Sequence, residues 1–440
     1  MRQIFFFPLL LILSSSNLHL LNASVSEVQE VEHAIIALPA ISDELTNDIM
    51  NDFQDRIPEE FNPSDYMAPL VRFWFDVYTR FSSDQILVHD KVNLDIHYTI
   101  LDFSPLKSAK LTRFGASTVK QALVQEKVEE IKTVLRELAA GENNSKLSLS
   151  ILRVLKDSST PPPEDDKERR AYFLGKIENL RTQTGQRDII ENGIERYAPL
   201  EEYLRSLVKK FDHPTELLAI PFLESSFNEE AHSKAGARGV WQFMPLIASF
   251  FMPKRGTLLD YRVNPLIASV AAQHLLEENY RILKRWDLAV TAYNSGTKHL
   301  LRARREVEAK TLDDVLQNYQ HPHLGFASKN FYAEYLALVH TLAYRNEIFP
   351  AEKNIAPMKD LRFVIAKCSF SPGRLERWEK LRSLNSHLFR PNTTYPRGTI
   401  LVWRGEPDKK FRSLNWEQVV KVKPKDWEKR WLANQSCSTR

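Results

Sequence analysis

Cysteine is nearly missing from this chain: 440 residues contain two, Cys368 and Cys437, both in the last quarter. Neither sits in a catalytic pattern. In an oxidising compartment they can close one disulfide that ties the tail to its domain, and two unpaired thiols are the alternative. A strong charge of one sign is also missing. The formal net charge is +4, which gives no basis for nucleic-acid binding and supports at most a weak preference for an anionic polymer. Long apolar runs are lacking too. The longest at the start, Ile4 to Leu13, falls well short of the ~20 residues a spanning helix needs. It follows Arg2 and precedes polar residues and Ala23, so residues 1–23 read as a secretory signal, with a permanent anchor as the weaker reading. No cysteine lies near the possible cleavage point, so no lipid is expected there. With 43% hydrophobic and 26% charged residues, neither disorder nor a polytopic membrane protein is indicated. The length suits roughly two to three domains.

What is present changes along the chain. Residues 24–65 are acidic and carry no motif. Gln85–Val88 and Leu94–Phe103 read as a strand pair joined through Asp90–Asn93. His89, Asp95 and His97 lie close in sequence, but without a second cluster they read as the polar face of a strand, and no metal site is expected. Apolar residues at helical spacing, Val124, Val128, Ile131, Leu135 and Leu138, predict a surface helix over 117–138 that Gly141 stops. A proline-rich charged stretch, 158–168, marks a boundary. Between about 185 and 345 the pattern is strongly helical. Asp212 or His213 before Pro214, Asn264 before Pro265, and Asp287 are candidate helix caps. The last 90 residues predict strand (361–366), helix (373–384) and strand (399–403), a small α/β module. The expected division is 1–23 signal, 24–184 accessory region of strands and helices, 185–350 helical catalytic domain, and 351–440 module and tail.

The chemistry gathers around "ELLAIPFLESSF", residues 216–227. An apolar run from Leu217 to Leu223 ends on Glu224. A carboxylate at the end of a buried helix is desolvated, which raises its pKa toward the range a general acid needs. Pro221 removes a helix hydrogen bond and is expected to bend or end that helix near the acid. A lone Glu of this kind also reads as a helix end reaching solvent; its company argues otherwise. In "SKAGARGVWQFMP", 233–245, Gly236 and Gly239 permit a tight backbone path into Trp241, Gln242 and Phe243. Trp241 alone reads as core. Beside an amide, an aromatic wall suits a sugar ring carrying N-acetyl and hydroxyl groups. "TAYNSG", 291–296, then places Tyr293 and Asn294 at a helix end, with Tyr293 able to bond Glu224 or to sit as a core tyrosine.

In order and spacing, Glu224-Ser225-x-Phe227, Gly236-Ala237-x-Gly239-Val240-Trp241-Gln242-Phe243-Met244-Pro245 and Ala292-Tyr293-Asn294-x-Gly296 resemble the catalytic domain of family 1 lytic transglycosylases, most like the lytic murein transglycosylase D type. Flanking segments extend the resemblance over most of 70–345. It implies a mainly α, goose-lysozyme-like catalytic fold. Glu224 would be the sole catalytic acid and base. It would protonate the oxygen between N-acetylmuramic acid and N-acetylglucosamine, then take the proton of the muramyl C6 hydroxyl as that hydroxyl closes onto C1. Ser225, Gln242, Tyr293 and Asn294 would orient the sugar, with Phe227, Trp241 and Phe243 lining the groove. A 1,6-anhydro end results. Where many relatives place a tyrosine after an "ETR"-like element, this chain has "SKNFY", so Phe331 or Tyr332 would fill the place, Tyr332 being preferred.

The residues themselves agree on one point. Ordinary glycosidases use two carboxylates, whereas these motifs contain one. An intramolecular nucleophile removes the need for a second. Glu229, Glu230 and Asp260 are the nearest spares and read as solvated surface. Tandem wall-binding repeats are absent; 361–404 resembles at most one diverged LysM-like module. The expectation is therefore a secreted peptidoglycan lytic transglycosylase of the periplasm or cell envelope, without cofactor or metal. Its partner is the glycan strand and no nucleic acid, with peripheral envelope association possible. The rivals are a muramidase on the same scaffold and a catalytically inactive wall-binding protein.

Overall fold

Helical spacing of apolar residues builds most of the chain, and two short antiparallel sheets build the rest. The computed structural model describes residues 40–108, 112–254, 256, 258–321, 325–349, 355–433 and 437. The expected signal at 1–23 lies outside the described residues. Contacts divide the chain into two units: Arg80–Gly185 with the segment up to Ala40, and Ile41–Thr79 with Gln186–Arg440.

Following the chain, α1 (Ala68–Thr79) belongs to the larger unit. The smaller unit then begins with β1 (Gln85–Asp90) and β2 (His97–Asp102), an antiparallel pair where a strand pair was expected. It continues with α2 (Arg113–Ala139), α3 (Lys146–Lys156) and α4 (Asp166–Asn179). It closes with β3 (Leu180–Thr184), an unexpected strand that pairs with β1 to give the order β2-β1-β3. Val88, Ile96, Ile131, Leu135, Ile151, Leu155 and Phe173 form its core. His89 is buried with Nδ1 on the Asp90 carbonyl, and His97 Nε2 meets the Leu94 carbonyl, so both serve the strand ends. Asp90 is buried and salt-bridged to Lys176.

In the larger unit, α5 (Arg187–Tyr197) and α6 (Glu201–Lys210) lead to α7 (Ile220–Ser225). Then come α8 (Pro245–Phe251), α9 (Pro265–Leu283) and α10 (Trp286–Ser295). After two shorter helices, α11 (Phe326–Ala343) packs against α1. The buried face of α1, with Val71, Phe73, Trp74, Phe75 and Val77, explains why residues 41–79 join this unit and not the accessory region expected over 24–184. Residues 361–440 also belong to it. There β4 (Leu361–Ala366), β5 (Ile400–Arg404) and β6 (Phe411–Ser413) form a sheet of order β5-β4-β6. The predicted helix at 373–384 is instead two single 3-10 turns around a short helix, Trp378–Leu381.

Two cap expectations change. Asn264 caps α9 as predicted, accepting from the Leu266 and Ile267 amides. Asp287 lies inside the first turn of α10, paired with Arg285, and Pro214 precedes a 3-10 turn, Thr215–Ala219. Among the described residues no helix is long and apolar enough to cross a membrane.

Candidate active site

The run from Leu217 to Leu223 is not one helix. A 3-10 turn ends at Ala219, and α7 starts at Ile220 with Pro221 in its first turn, so the missing proline N–H breaks no bond there. Pro221 opens the helix that carries Glu224 and does not bend it, which corrects the sequence expectation. The helix ends one residue after Glu224 in a Schellman-like pair: the Ser226 amide donates to Phe222 O at 2.7 Å and the Phe227 amide to Pro221 O at 3.0 Å. Ser226 (φ 49°) and Phe227 (φ 57°) are both left-handed without being glycine, a strain of roughly 1 kcal/mol or more each. Arg196 of α5 offsets it by donating to Ser226 O at 2.6 Å and Phe227 O at 3.3 Å. Gly193 gives the turn room, since a Cβ there would stand 2.6 Å from Ser226 O. The acid is thus set on a short, locked helix end.

Glu224 is half-buried. Burial, aided by the negative charge of Glu334, pushes its carboxyl up to about 8. No described residue gives it a hydrogen bond or a counterion. The phenol of Tyr293 is pushed up by burial and then by the Glu224 charge. Tyr293 Oη, however, donates to the Trp241 carbonyl at 2.6 Å, not to the acid. Asn294 is exposed just beyond it, at the end of α10.

The loop 232–243 is held by backbone bridges among His232, Arg238 and Phe243. Arg262 donates to Gly236 O at 2.8 Å and Phe243 O at 3.0 Å, while Asp260 accepts from both Arg262 and Arg238. Asp260 is therefore a half-buried clamp and not solvated surface. Glu229 is likewise engaged, accepting from Ser386 Oγ at 3.1 Å; Glu230 is exposed. At Gly239 (φ +73°) a Cβ would lie 1.9 Å from Arg262 O, so only glycine passes there. Ser225 Oγ donates to Val240 O at 2.9 Å and accepts from the Asn228 amide, tying the helix end to this loop. Its hydroxyl holds protein to protein. Gln242 takes φ 46°, and its Nε2 donates to Gly239 O at 2.9 Å and Ala231 O at 3.2 Å. Its amide oxygen has no hydrogen bond from a described residue.

The aromatic wall is corrected. Trp241 is 0% exposed, its Nε1 donating to Ser269 Oγ at 2.8 Å, and Phe227 and Phe243 are buried. These rings have no free face for a sugar; Trp241 and Phe243 are the floor that Tyr293 packs on, with ring centres 6.2 Å and 6.3 Å away, and Phe227 packs on Tyr197 and Phe222. Phe331 and Tyr332 are buried as well, and Tyr332 stacks on Tyr335. The structure brings Glu224, Tyr293 and the 239–243 loop together. The sequence reading missed Glu334, whose charge acts on Glu224, and Arg196 and Gly193, which hold the helix end. No spacing announces them, because they arrive from other helices.

A mainly helical unit thus surrounds one desolvated carboxyl, a loop with two positive-φ glycines and a tyrosine at a helix end. Residues 204–315 match the transglycosylase SLT domain family. The chain is 26% identical over 187 residues to membrane-bound lytic murein transglycosylase D of Escherichia coli (strain K12), covering 39% of this chain and 40% of that protein. It is 33% identical over 123 residues to a protein of Alteromonas sp. (strain M-1) named for tributyltin chloride resistance, covering 28% and 59%. The chain thus spans less than two thirds of the length of either relative.

Proposed function

We propose that this protein is a peptidoglycan lytic transglycosylase that cleaves between N-acetylmuramic acid and N-acetylglucosamine and leaves 1,6-anhydromuramic ends. The observation that carries the reading is the Glu224 carboxyl, held protonated to about pH 8 by burial beside Tyr293. Such a group gives its proton to the glycosidic oxygen at neutral pH and, as carboxylate, takes the proton of the C6 hydroxyl that closes onto C1. The Gln242 amide oxygen and the exposed Asn294 amide are free to meet the acetamido and hydroxyl groups. Tyr293, Ser225 and the buried rings set the geometry from behind. The SLT match and the relatives' names support the substrate class.

A cell-envelope site of action follows from that substrate and from the signal-like residues 1–23, with peripheral association at the envelope as part of the same proposal. For 361–404, the strand, helical turns and strand support a diverged LysM-like module. Trp378 and Trp403 are buried, and Phe389, 58% exposed, is the ring left to stack on a sugar. Glu224→Gln tests the central reading: release of soluble fragments from purified sacculi is expected to fall to background while the variant still pellets with sacculi. Undiminished digestion would end the assignment.

A further inference from the structure

We propose, building on the transglycosylase reading above, that the C-terminal module is part of the catalytic apparatus: its turn at 384–387 positions the glycine loop 236–243, with His387 as the positioning residue. A wall-binding module on a loose tether would leave that loop alone. Here module and loop share one short segment, 260–264, built on the 3-10 turn Tyr261–Val263. One side of the segment holds the loop. Arg262 donates to Gly236 O and Phe243 O, Asp260 fixes its guanidinium, and the Arg262 carbonyl stands where a Cβ on Gly239 would fall. The other side is held by the module. Asn264 Nδ2 donates to Leu384 O at 2.8 Å and to His387 Nδ1 at 3.2 Å, and the Ile400 amide donates to Tyr261 Oη at 3.1 Å. The His387 ring lies 5.2 Å from the Tyr261 ring. Ser386 Oγ adds a bond to Glu229, beyond the turn that follows Glu224.

The seam leaves no slack. Asn264 and His387 are buried, and the Asn264 amide oxygen accepts the Leu266 and Ile267 amides, so its nitrogen is the atom turned to the module. An amide nitrogen only donates, so His387 Nδ1 accepts, and Nε2 carries the proton to Ile400 O at 2.9 Å. Burial pushes the imidazole down to about 4, which keeps it neutral and in that tautomer at neutral pH. A second path runs along α9, whose start Asn264 caps. Ser269 of α9 accepts from Trp241 Nε1 at 2.8 Å, and the Trp241 carbonyl in turn accepts Tyr293 Oη at 2.6 Å. Both paths from the module turn end on the loop that Ser225, the neighbour of Glu224, binds at Val240 O. A shift of the turn is thus passed to the frame around the acid, whatever the module's outer face binds.

The test pairs hydrogen exchange of the 232–243 loop, read by mass spectrometry, with turnover of soluble glycan strands, both on the full chain. In the loop the Gly239 amide bonds Ala231 O and the Gln242 amide bonds Gly239 O, so its exchange reports its order. His387→Phe keeps a ring against Tyr261 and loses both hydrogen bonds. It is expected to speed loop exchange and to lower kcat about tenfold with KM nearly unchanged, because a small misplacement of the catalytic frame costs rate before binding. His387→Gln can still donate to Ile400 O and should recover part of both. Phe411→Leu is the control, cutting the module's own core where that ring packs on Phe370 and Trp403. It should lower the melting temperature and leave loop exchange and the kcat of the folded protein as they are. If His387→Phe does not fold, Tyr261→Phe opens the same seam by one oxygen and should give the same pattern. Loop exchange at the wild-type rate in the seam variants would overturn the proposal. So would equal kcat losses in the seam variants and Phe411→Leu at matched folded fraction. Exchange needs no turnover, so it separates this coupling from the functional reading, which fails on its own if the wild-type protein leaves sacculi intact.

Discussion

Glu224 joins chemistry to stability through one number. A carboxyl raised from an ordinary 4.5 to about 8 keeps its proton in the folded state while the unfolded chain has lost it. Between those values the unfolded state binds fewer protons, so stability falls as pH rises through that window. Replacing the acid with an amide removes the penalty. Glu224→Gln is therefore expected to leave stability unchanged near pH 4 and to raise it by about 2 kcal/mol at pH 8, discounting for the half-exposed face. Denaturant melts at the two pH values check this, and equal effects at both would refute the raised titration. Activity should fall as pH rises through about 8, because the general acid is then lost. Trp241 belongs to the same scale. With no exposed surface, Trp241→Ala should cost ~3–5 kcal/mol of stability. A loss of sugar affinity at unchanged melting temperature would restore the ring to the groove wall. Glu224 was legible as a residue because an acid closing an apolar run conflicts with its surroundings. Trp241 was legible only as an aromatic in a motif, since a motif records which residues occur together and not which way they face.

Among elements, the 232–243 loop is the one whose shape the sequence foretold and whose support it did not. Gly236 and Gly239 announce a tight path, and both have positive φ. The Arg262–Asp260 clamp comes from the turn before α9, and nothing near the loop points to it. Gly239→Ala forces a Cβ into the Arg262 carbonyl and should cost ~2–4 kcal/mol, with activity falling further than the folded fraction. Urea melts alongside digestion assays check both; a neutral substitution would mean that the loop is not packed as described. Helix α7 makes the complementary point. Pro221 reads as a breaker when the apolar run is taken as one helix. Once the run is a 3-10 turn followed by a new helix, the same residue is a starter. Periodicity cannot place that joint, because both halves are apolar throughout.

For the whole molecule, the C-terminal module is built into the larger unit. Asn264 Nδ2 donates to Leu384 O at 2.8 Å, and the Ile400 amide donates to Tyr261 Oη at 3.1 Å. Trp416 packs on Tyr203 and Trp427 is fully buried, which accounts for tryptophans in a tail whose sequence gave no reason for them. Cys368 and Cys437 form a disulfide, with Cα atoms 5.1 Å apart. Mass spectrometry should find two alkylated cysteines only after reduction, and Cys368→Ser should destabilise the module by up to about 4 kcal/mol of loop-closure entropy. The β1–β2 pair was readable from its aromatic and β-branched residues, and β4 and β5 were readable as strands though not as partners. β3, β6 and the joining of 41–79 to the larger unit were not, because each depends on a partner far away in sequence. The account as a whole rests on one carboxyl serving a ring-closing scission. End-group mass analysis of glycan fragments released by the wild-type protein and by Glu224→Gln tests it most directly. Wild-type fragments should end in anhydro sugars lighter by one water, and the variant should release none; reducing ends, or anhydro ends from the variant, would contradict it.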